Sequence, residues 1–203
     1  NISKAEEPPI GITPKAEITN QSSEKKDSKK ILFTKEYNFY SINPDGSELN
    51  ELFTNVGTTL LSNNKSFVAF NREIPTTESN FSKSKLTIID LEGKILHDLN
   101  KSPSEIEWFN NDQSIIFGQY YDGIYRYDLQ TSKLTELFTS KYDTYDHCPT
   151  VSPDQSKVAF VKHSWGCLYY LYAMNIDGSN VELITKGSSG HNEDLGLKWI
   201  DNE

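Results

Sequence analysis

Cysteine and methionine are scarce in this chain: two Cys and one Met in 203 residues. Cys148 and Cys167 cannot make a disulfide framework, and their spacing fits no zinc knuckle. No apolar run approaches the ~20 residues needed to span a bilayer as a helix. Positive charge is also short, with 20 Lys+Arg against 29 Asp+Glu and a formal charge of -9. That balance opposes association with nucleic acid or an anionic membrane surface. Hydrophobic residues reach only 35%, yet aromatics make up 12%, with 11 Tyr and 10 Phe. A packed aromatic core is therefore expected, not a disordered or coiled-coil chain.

Residues 1–28 hold Pro8, Pro9 and Pro14, five acids, four lysines and no aromatic; the first aromatic is Phe33. This composition predicts a disordered leader or linker, with the folded body over 29–203. The chain opens on Asn1 without Met, as it would after removal of an export signal. A spacer behind a lipid anchor, and an extracytoplasmic location in the bacterial periplasm or at the cell surface, are the matching expectations.

An internal repeat sets the expected fold. Ser62–Phe70 (SNNKSFVAF), Asn110–Phe117 (NNDQSIIF) and Ser152–Phe160 (SPDQSKVAF) each run from a turn into a short apolar strand, and Lys30–Phe33 is a fourth strand of this kind. The aligned phenylalanines are Phe33, Phe70, Phe117 and Phe160. Each unit continues through a β-rich strand and a tight turn into another strand, with Asp-Gly at two of the four turns, Asp45-Gly46 and Asp177-Gly178. Innermost strands precede the aligned turns at 58–61, 106–109, 148–151 and 196–200. The expectation is an all-β, small β-propeller of four blades, each of four antiparallel strands: 29–54 plus 196–203, 58–99, 106–138 and 148–185. The first blade lacks its innermost strand, and Lys198-Trp199-Ile200 resembles Glu107-Trp108-Phe109. The ring is therefore expected to close by strand exchange between the termini, or failing that by pairing of two chains.

The segment 152–160, followed by Leu171–Asn180 and Leu183-Ile184-Thr185, resembles the TolB-type, WD40-like (PD40) β-propeller repeat, with Gln155 where that repeat carries glycine. The resemblance implies a propeller used for recognition. In such a fold the loops between blades share one face with the loops joining second to third strands. That face is expected to gather the candidate binding residues Tyr121, Asp122, Tyr145, Asp146, His147, His163, Trp165, His191, Glu193 and Asp194, with Tyr37 on the same rim. Tyr and Trp beside carboxylates suit a protein partner, or else a small ligand or glycan. Histidines with acids could also hold a transition metal, as in a degenerate lyase relative, although no two histidines share a short ligand spacing.

No catalytic signature accompanies the repeat. There is no G-x-S-x-G, and Gly187-Ser188-Ser189-Gly190 reads as a loop. The expectation is a non-enzymatic module without cofactor or metal. Asp45, Asp154 and Asp177 read as turn residues, Trp108 and Trp199 as packing between blades, His97 as a solvent-facing filler, and the two cysteines as separate thiols.

Overall fold

A computed structural model describes residues 30–74, 83–119, 121–139, 144–164, 168–188 and 197–200. Among them every regular element is a β-strand. Blade 1 holds β1 (Ile31–Lys35), β2 (Asn38–Ile42) and β3 (Asn50–Phe53). Blade 2 holds β4 (Val56–Leu61), β5 (Phe67–Ile74), β6 (Lys83–Asp90) and β7 (Ile95–Leu99). Blade 3 holds β8 (Pro103–Phe109), β9 (Ser114–Gln119), β10 (Gly123–Asp128) and β11 (Lys133–Thr139). Blade 4 holds β12 (Thr144–Val151), β13 (Lys157–Ser164), β14 (Leu168–Asn175) and β15 (Glu182–Ser188). The strands lie in chain order within antiparallel sheets, one of three strands and three of four. Residues 1–29, which include the whole of the expected leader 1–28, lie outside the described residues.

The repeat read from the sequence is the repeat of the structure. Phe33 pairs with Tyr40, Phe70 with Thr87, Phe117 with Tyr125 and Phe160 with Tyr172. Three of these pairs stack, with ring centroids 5.3, 5.6 and 5.5 Å apart. Such cross-strand aromatic pairs are a unit of sheet stabilisation.

Because side chains alternate across a strand, each sheet has two faces to cover. Blade 1 covers one face of blade 2 through Phe39, Val56, Val68, Phe70 and Ile89. The other face of blade 2 meets blade 3 through Ala69, Leu86, Ile88, Trp108, Ile115, Phe117, Tyr125 and Tyr127. Blade 3 meets blade 4 through Phe109, Ile116, Ile124, Leu137, Val151, Val158, Phe160 and Met174. The core is thus three seams between neighbouring sheets, and Phe70, Phe117 and Phe160 are wholly buried in them.

Expected turn chemistry fixes one end of the sheets. Asp154 Oδ1 accepts from Ser156 N at 3.0 Å and from Ser152 Oγ at 2.7 Å, while Lys157 N donates to Ser152 Oγ at 2.9 Å. Ser62, Asn64 and Ser66 repeat this arrangement. Gln155, at the glycine position of the repeat, has φ +61°, as Lys65 has φ +60°. Asp45 and Asp177 accept from the Ser47 and Ser179 backbones at 2.9 Å.

Two expectations fail. The innermost strands begin earlier than their apolar cores, at Val56, Pro103 and Thr144, because backbone pairing resumes beyond a register shift, between Val56 and Thr59, between Pro103 and Ile106 and between His147 and Thr150. Tyr145, Asp146 and His147 therefore stand in β12, and His163 in β13, rather than in loops. The ring also does not close: β1 pairs only with β2, leaving blade 1 three-stranded among the described residues. Trp199 instead donates from Nε1 to Thr150 O of blade 4 at 3.1 Å. Trp108 makes the same contact to Leu60 O of blade 2 at 3.2 Å and packs between blades 2 and 3 as expected, whereas Trp199 is placed against blade 4 alone among the described residues.

Candidate functional site

At the end opposite the Ser-Pro-Asp turn, inter-blade connectors and second-to-third-strand turns meet, as the repeat implied. Val56 N donates to Tyr37 O at 2.7 Å, and Glu73 N to Asn55 O at 2.9 Å. Ser102 N donates to Gln119 Oε1 at 3.3 Å. This end is a rim with a hydrogen-bonded backbone.

Two tyrosines stand out on it for a backbone reason. Lys35 pairs with Asn38, so Glu36 and Tyr37 form a two-residue hairpin turn, with φ of +51° and +62°. Such turns favour Asn-Gly, because a side chain in this region costs roughly 1–2 kcal/mol. Tyr37 nonetheless holds this position and is 77% exposed. Tyr121 occupies the corresponding turn of blade 3, with φ +60° and 51% exposure.

Beside Tyr121, Asp122 Oδ2 lies 2.7 Å from Lys101 Nζ, which stands 3.7 Å from the centroid of the Tyr125 ring. Burial opposes ionisation of Asp122, but hydrogen bonds from Lys101 and Tyr125 and the Lys101 charge outweigh it, holding the carboxyl below its ordinary range. Burial likewise opposes the Lys101 charge, and the same partners raise its pKa above the usual lysine value. The ion pair and the cation–π contact tie the connector 100–102 to the Tyr121 turn.

On blade 4, Tyr145 of β12 stands directly opposite His163 of β13, which stands opposite Tyr169 of β14. Asp146 pairs with Lys162, and Lys162 with Tyr170, in the neighbouring row; His147 pairs with Val161. The structure thus joins Tyr121 with Asp122, and Tyr145 with His163, on adjacent blades. Trp165, His191, Glu193 and Asp194 lie outside the described residues. Among the described residues, no three His, Cys, Asp or Glu side chains are grouped to hold a metal ion. Lys101 and Tyr169 were not among the sequence candidates, and Tyr37 was placed on the rim without being singled out. The signal for Tyr37 was the two-residue gap between paired strands.

A concavity of about 430 Å³ lies at the turn end, lined by Asn63, Glu107, Asp112 and Gln155 among others. Its carboxylates are engaged. Asp112 accepts from Asn63 N, Asn63 Nδ2 and Asn64 N at 3.0, 2.9 and 2.7 Å, and Glu107 Oε1 accepts from Val151 N at 3.2 Å. They clasp neighbouring blades.

No family model matches the chain, and no curated protein matches it in sequence. Solved structures match it in fold. An oligogalacturonate lyase in complex with manganese is 12% identical with a TM-score of 0.56, over 79% of this chain and 51% of that one. A puromycin-hydrolyzing peptidase of Mycobacterium tuberculosis is 9% identical with a TM-score of 0.57, over 77% of this chain and 29% of that one. The chain is a β-propeller. It spans about half the length of the lyase, and at these identities the likeness concerns fold alone. A TolB candidate from Agrobacterium tumefaciens is 15% identical with a TM-score of 0.43, over 80% of this chain and 78% of that one. The propeller as a class, read from the repeat, is what the chain forms.

Proposed function

We propose that this propeller is a non-enzymatic recognition module that binds a protein partner through its rim. The observation that carries the reading is the pair of exposed tyrosines, Tyr37 and Tyr121, each held at positive φ on a hydrogen-bonded turn. A bulky ring kept at an unfavourable backbone position, on the side where loops converge, fits selection for contact better than selection for stability. Tyrosine supplies large contact area with little side-chain entropy to lose, which suits a protein interface. Tyr145 with His163 on blade 4, and Trp165, His191, Glu193 and Asp194 along the same rim in sequence, extend the proposed surface. The Pro- and Lys/Glu-rich leader and the PD40-like motif support an extracytoplasmic setting.

The test replaces Tyr37 and Tyr121 together by glycine, which accepts positive φ freely. The variant should be as stable as the parent or more so, by about 0.5–1 kcal/mol per site. It should also lose the partner that the parent captures quantitatively from native extract. Unchanged capture by the folded variant would sink the rim reading. Capture by neither, with saturable binding of an oligosaccharide or stoichiometric metal in the purified protein, would transfer the function to a ligand site.

A further inference from the structure

We infer that Arg72, at the rim end of the seam between blades 1 and 2, is a binding site for a carboxylate, and that the protein partner proposed above supplies it as an acidic side chain. The site itself is built from described residues; the source of the carboxylate rests on the rim reading.

Alternate residues of a strand share a face. Arg72 therefore follows Val68 and Phe70, and Lys85 precedes Thr87 and Ile89, on the side of blade 2 that blade 1 covers. Toward the rim the apolar seam gives way to two cations, because Arg72 and Lys85 are directly opposed in the ladder. On its other side Arg72 pairs with Val56, whose N–H donates to Tyr37 O, so the exposed tyrosine turn adjoins the same ladder. The Phe53 ring of blade 1 lies 5.8 Å from Arg72 Cζ and supports the guanidinium.

One carboxylate serves both cations, and serves them unequally. Asp98 Oδ2 lies 2.8 Å from Lys85 Nζ and 3.3 Å from Arg72 Nη2, while Oδ1 accepts from Thr87 Oγ1 at 2.9 Å. Burial opposes ionisation of Asp98; the hydrogen bonds from Lys85 and Thr87 lead the effects that overcome it, and the Arg72 charge adds least. Asp98 is thus satisfied by Lys85 and Thr87. Arg72 is not satisfied by Asp98. Its Nε is buried from water without a hydrogen-bond partner, and of the buried side-chain atoms in that state among the described residues it alone belongs to a charged group. The Nε–H and Nη2–H donors of a guanidinium form a fork that matches the two oxygens of a carboxylate. In Arg72 one prong makes a long contact and the other makes none. The side chain is 23% exposed, so a small turn brings the fork to the surface. The formal charge of -9 repels an acidic protein surface at long range, so the group recognised is a single carboxylate entering a local excess of positive charge.

The chain has just two arginines, Arg72 and Arg126, so the arginine Nε–H region of a nitrogen-correlated NMR spectrum is simple, and Arg126→Lys assigns it. Arg126, 5.3 Å from the Phe109 ring, serves as the internal control. Sodium acetate is titrated into the full chain at an ionic strength held constant with sodium chloride. The Arg72 signal should shift saturably while the Arg126 signal stays. Asp98→Asn removes the competing charge and keeps an acceptor for Thr87, so it should tighten acetate binding several-fold. Lys85→Gln leaves Asp98 to Arg72 and should weaken it several-fold. An Arg72 signal that stays still, or moves in step with Arg126, overturns the site, as do two variants that change the affinity in the same direction. Replacing Tyr37 and Tyr121 by glycine should leave acetate binding intact, so failure of the rim reading is distinguishable from failure of this site. Arg72→Lys keeps the charge but not the fork, and should lower capture of the partner several-fold. Capture indifferent to Arg72→Lys, with acetate still bound by the parent chain, overturns the partner as the source of the carboxylate.

Discussion

The seam between blades 2 and 3 and the seam between blades 3 and 4 are packed with the same kinds of apolar side chain, but they are clasped differently. In the first, Asp112 of the later blade reaches back and receives three N–H donors from Asn63 and Asn64. In the second, Glu107 of the earlier blade reaches forward to Val151 N, and Gln155 Oε1 accepts from Asn110 N at 2.9 Å. Burial drives the Glu107 pKa up, and the Thr150 hydroxyl, the Val151 N–H and the Lys198 charge only partly oppose it. A carboxylate in a seam is an asset when enough donors converge on it and a burden when they do not.

Breaking the well-satisfied clasp should have the larger effect. Asp112→Ala removes a side chain that is 1% exposed and orphans the donors it served. A loss of about 3 kcal/mol is expected in urea unfolding, with the denaturant slope unchanged.

The same seam holds a titratable contact, His97 Nδ1 to Tyr127 Oη at 2.9 Å, with the two rings edge to face. Burial keeps His97 below its ordinary pKa, so its neutral form is favoured in the folded chain. The unfolded chain takes up that proton first, near pH 6.5, so stability falls as pH drops through this value and stops falling below the folded pKa. His97→Phe should flatten this slope, measured as the shift of the urea midpoint between pH 7.5 and 5.5. An unchanged slope would assign it to other groups.

The smallest effect is predicted in the second seam. Glu107→Gln keeps an acceptor for Val151 N and removes the buried charge, so stability at pH 7 should be unchanged or slightly higher. The difference from the parent should vanish as acid protonates Glu107. A clear loss at pH 7 would show that the ionised carboxylate is itself a clasp.

What the sequence disclosed follows from what repetition makes visible. Phe70, Phe117 and Phe160 recur because each fills the same point of a seam, Phe33 repeats their place in the strand by stacking on Tyr40, and Trp108 and Trp199 recur because each donates to the preceding blade. Asp45, Asp154 and Asp177 were legible from local turn chemistry alone. Strand starts at Val56, Pro103 and Thr144 were not, since backbone pairing continues past the apolar residues that marked each strand. His97 is half-buried, not solvent-facing, because Tyr127 comes from the neighbouring blade, a contact no local pattern reveals. For the rim, loop positions gathered Tyr121, Asp122, Tyr145 and His163 at one end, but the in-register row of Tyr145, His163 and Tyr169 needed the ladder. Lys101 escaped notice because a lone lysine in a connector carries no signal until its carboxylate and ring partners are placed.

Among the described residues, every hydrogen-bonded strand pair joins strands that follow one another in the chain. Each blade can therefore zip from its own turns without waiting for a distant segment, which lowers the loop-closure cost that slows most all-β proteins. The polypeptide crossing from one blade to the next, two residues between Phe53 and Val56 and three between Leu99 and Pro103, completes no sheet. Cooperativity between blades must then come from side chains across the seams, and folding should spread along the arc from whichever seam forms first.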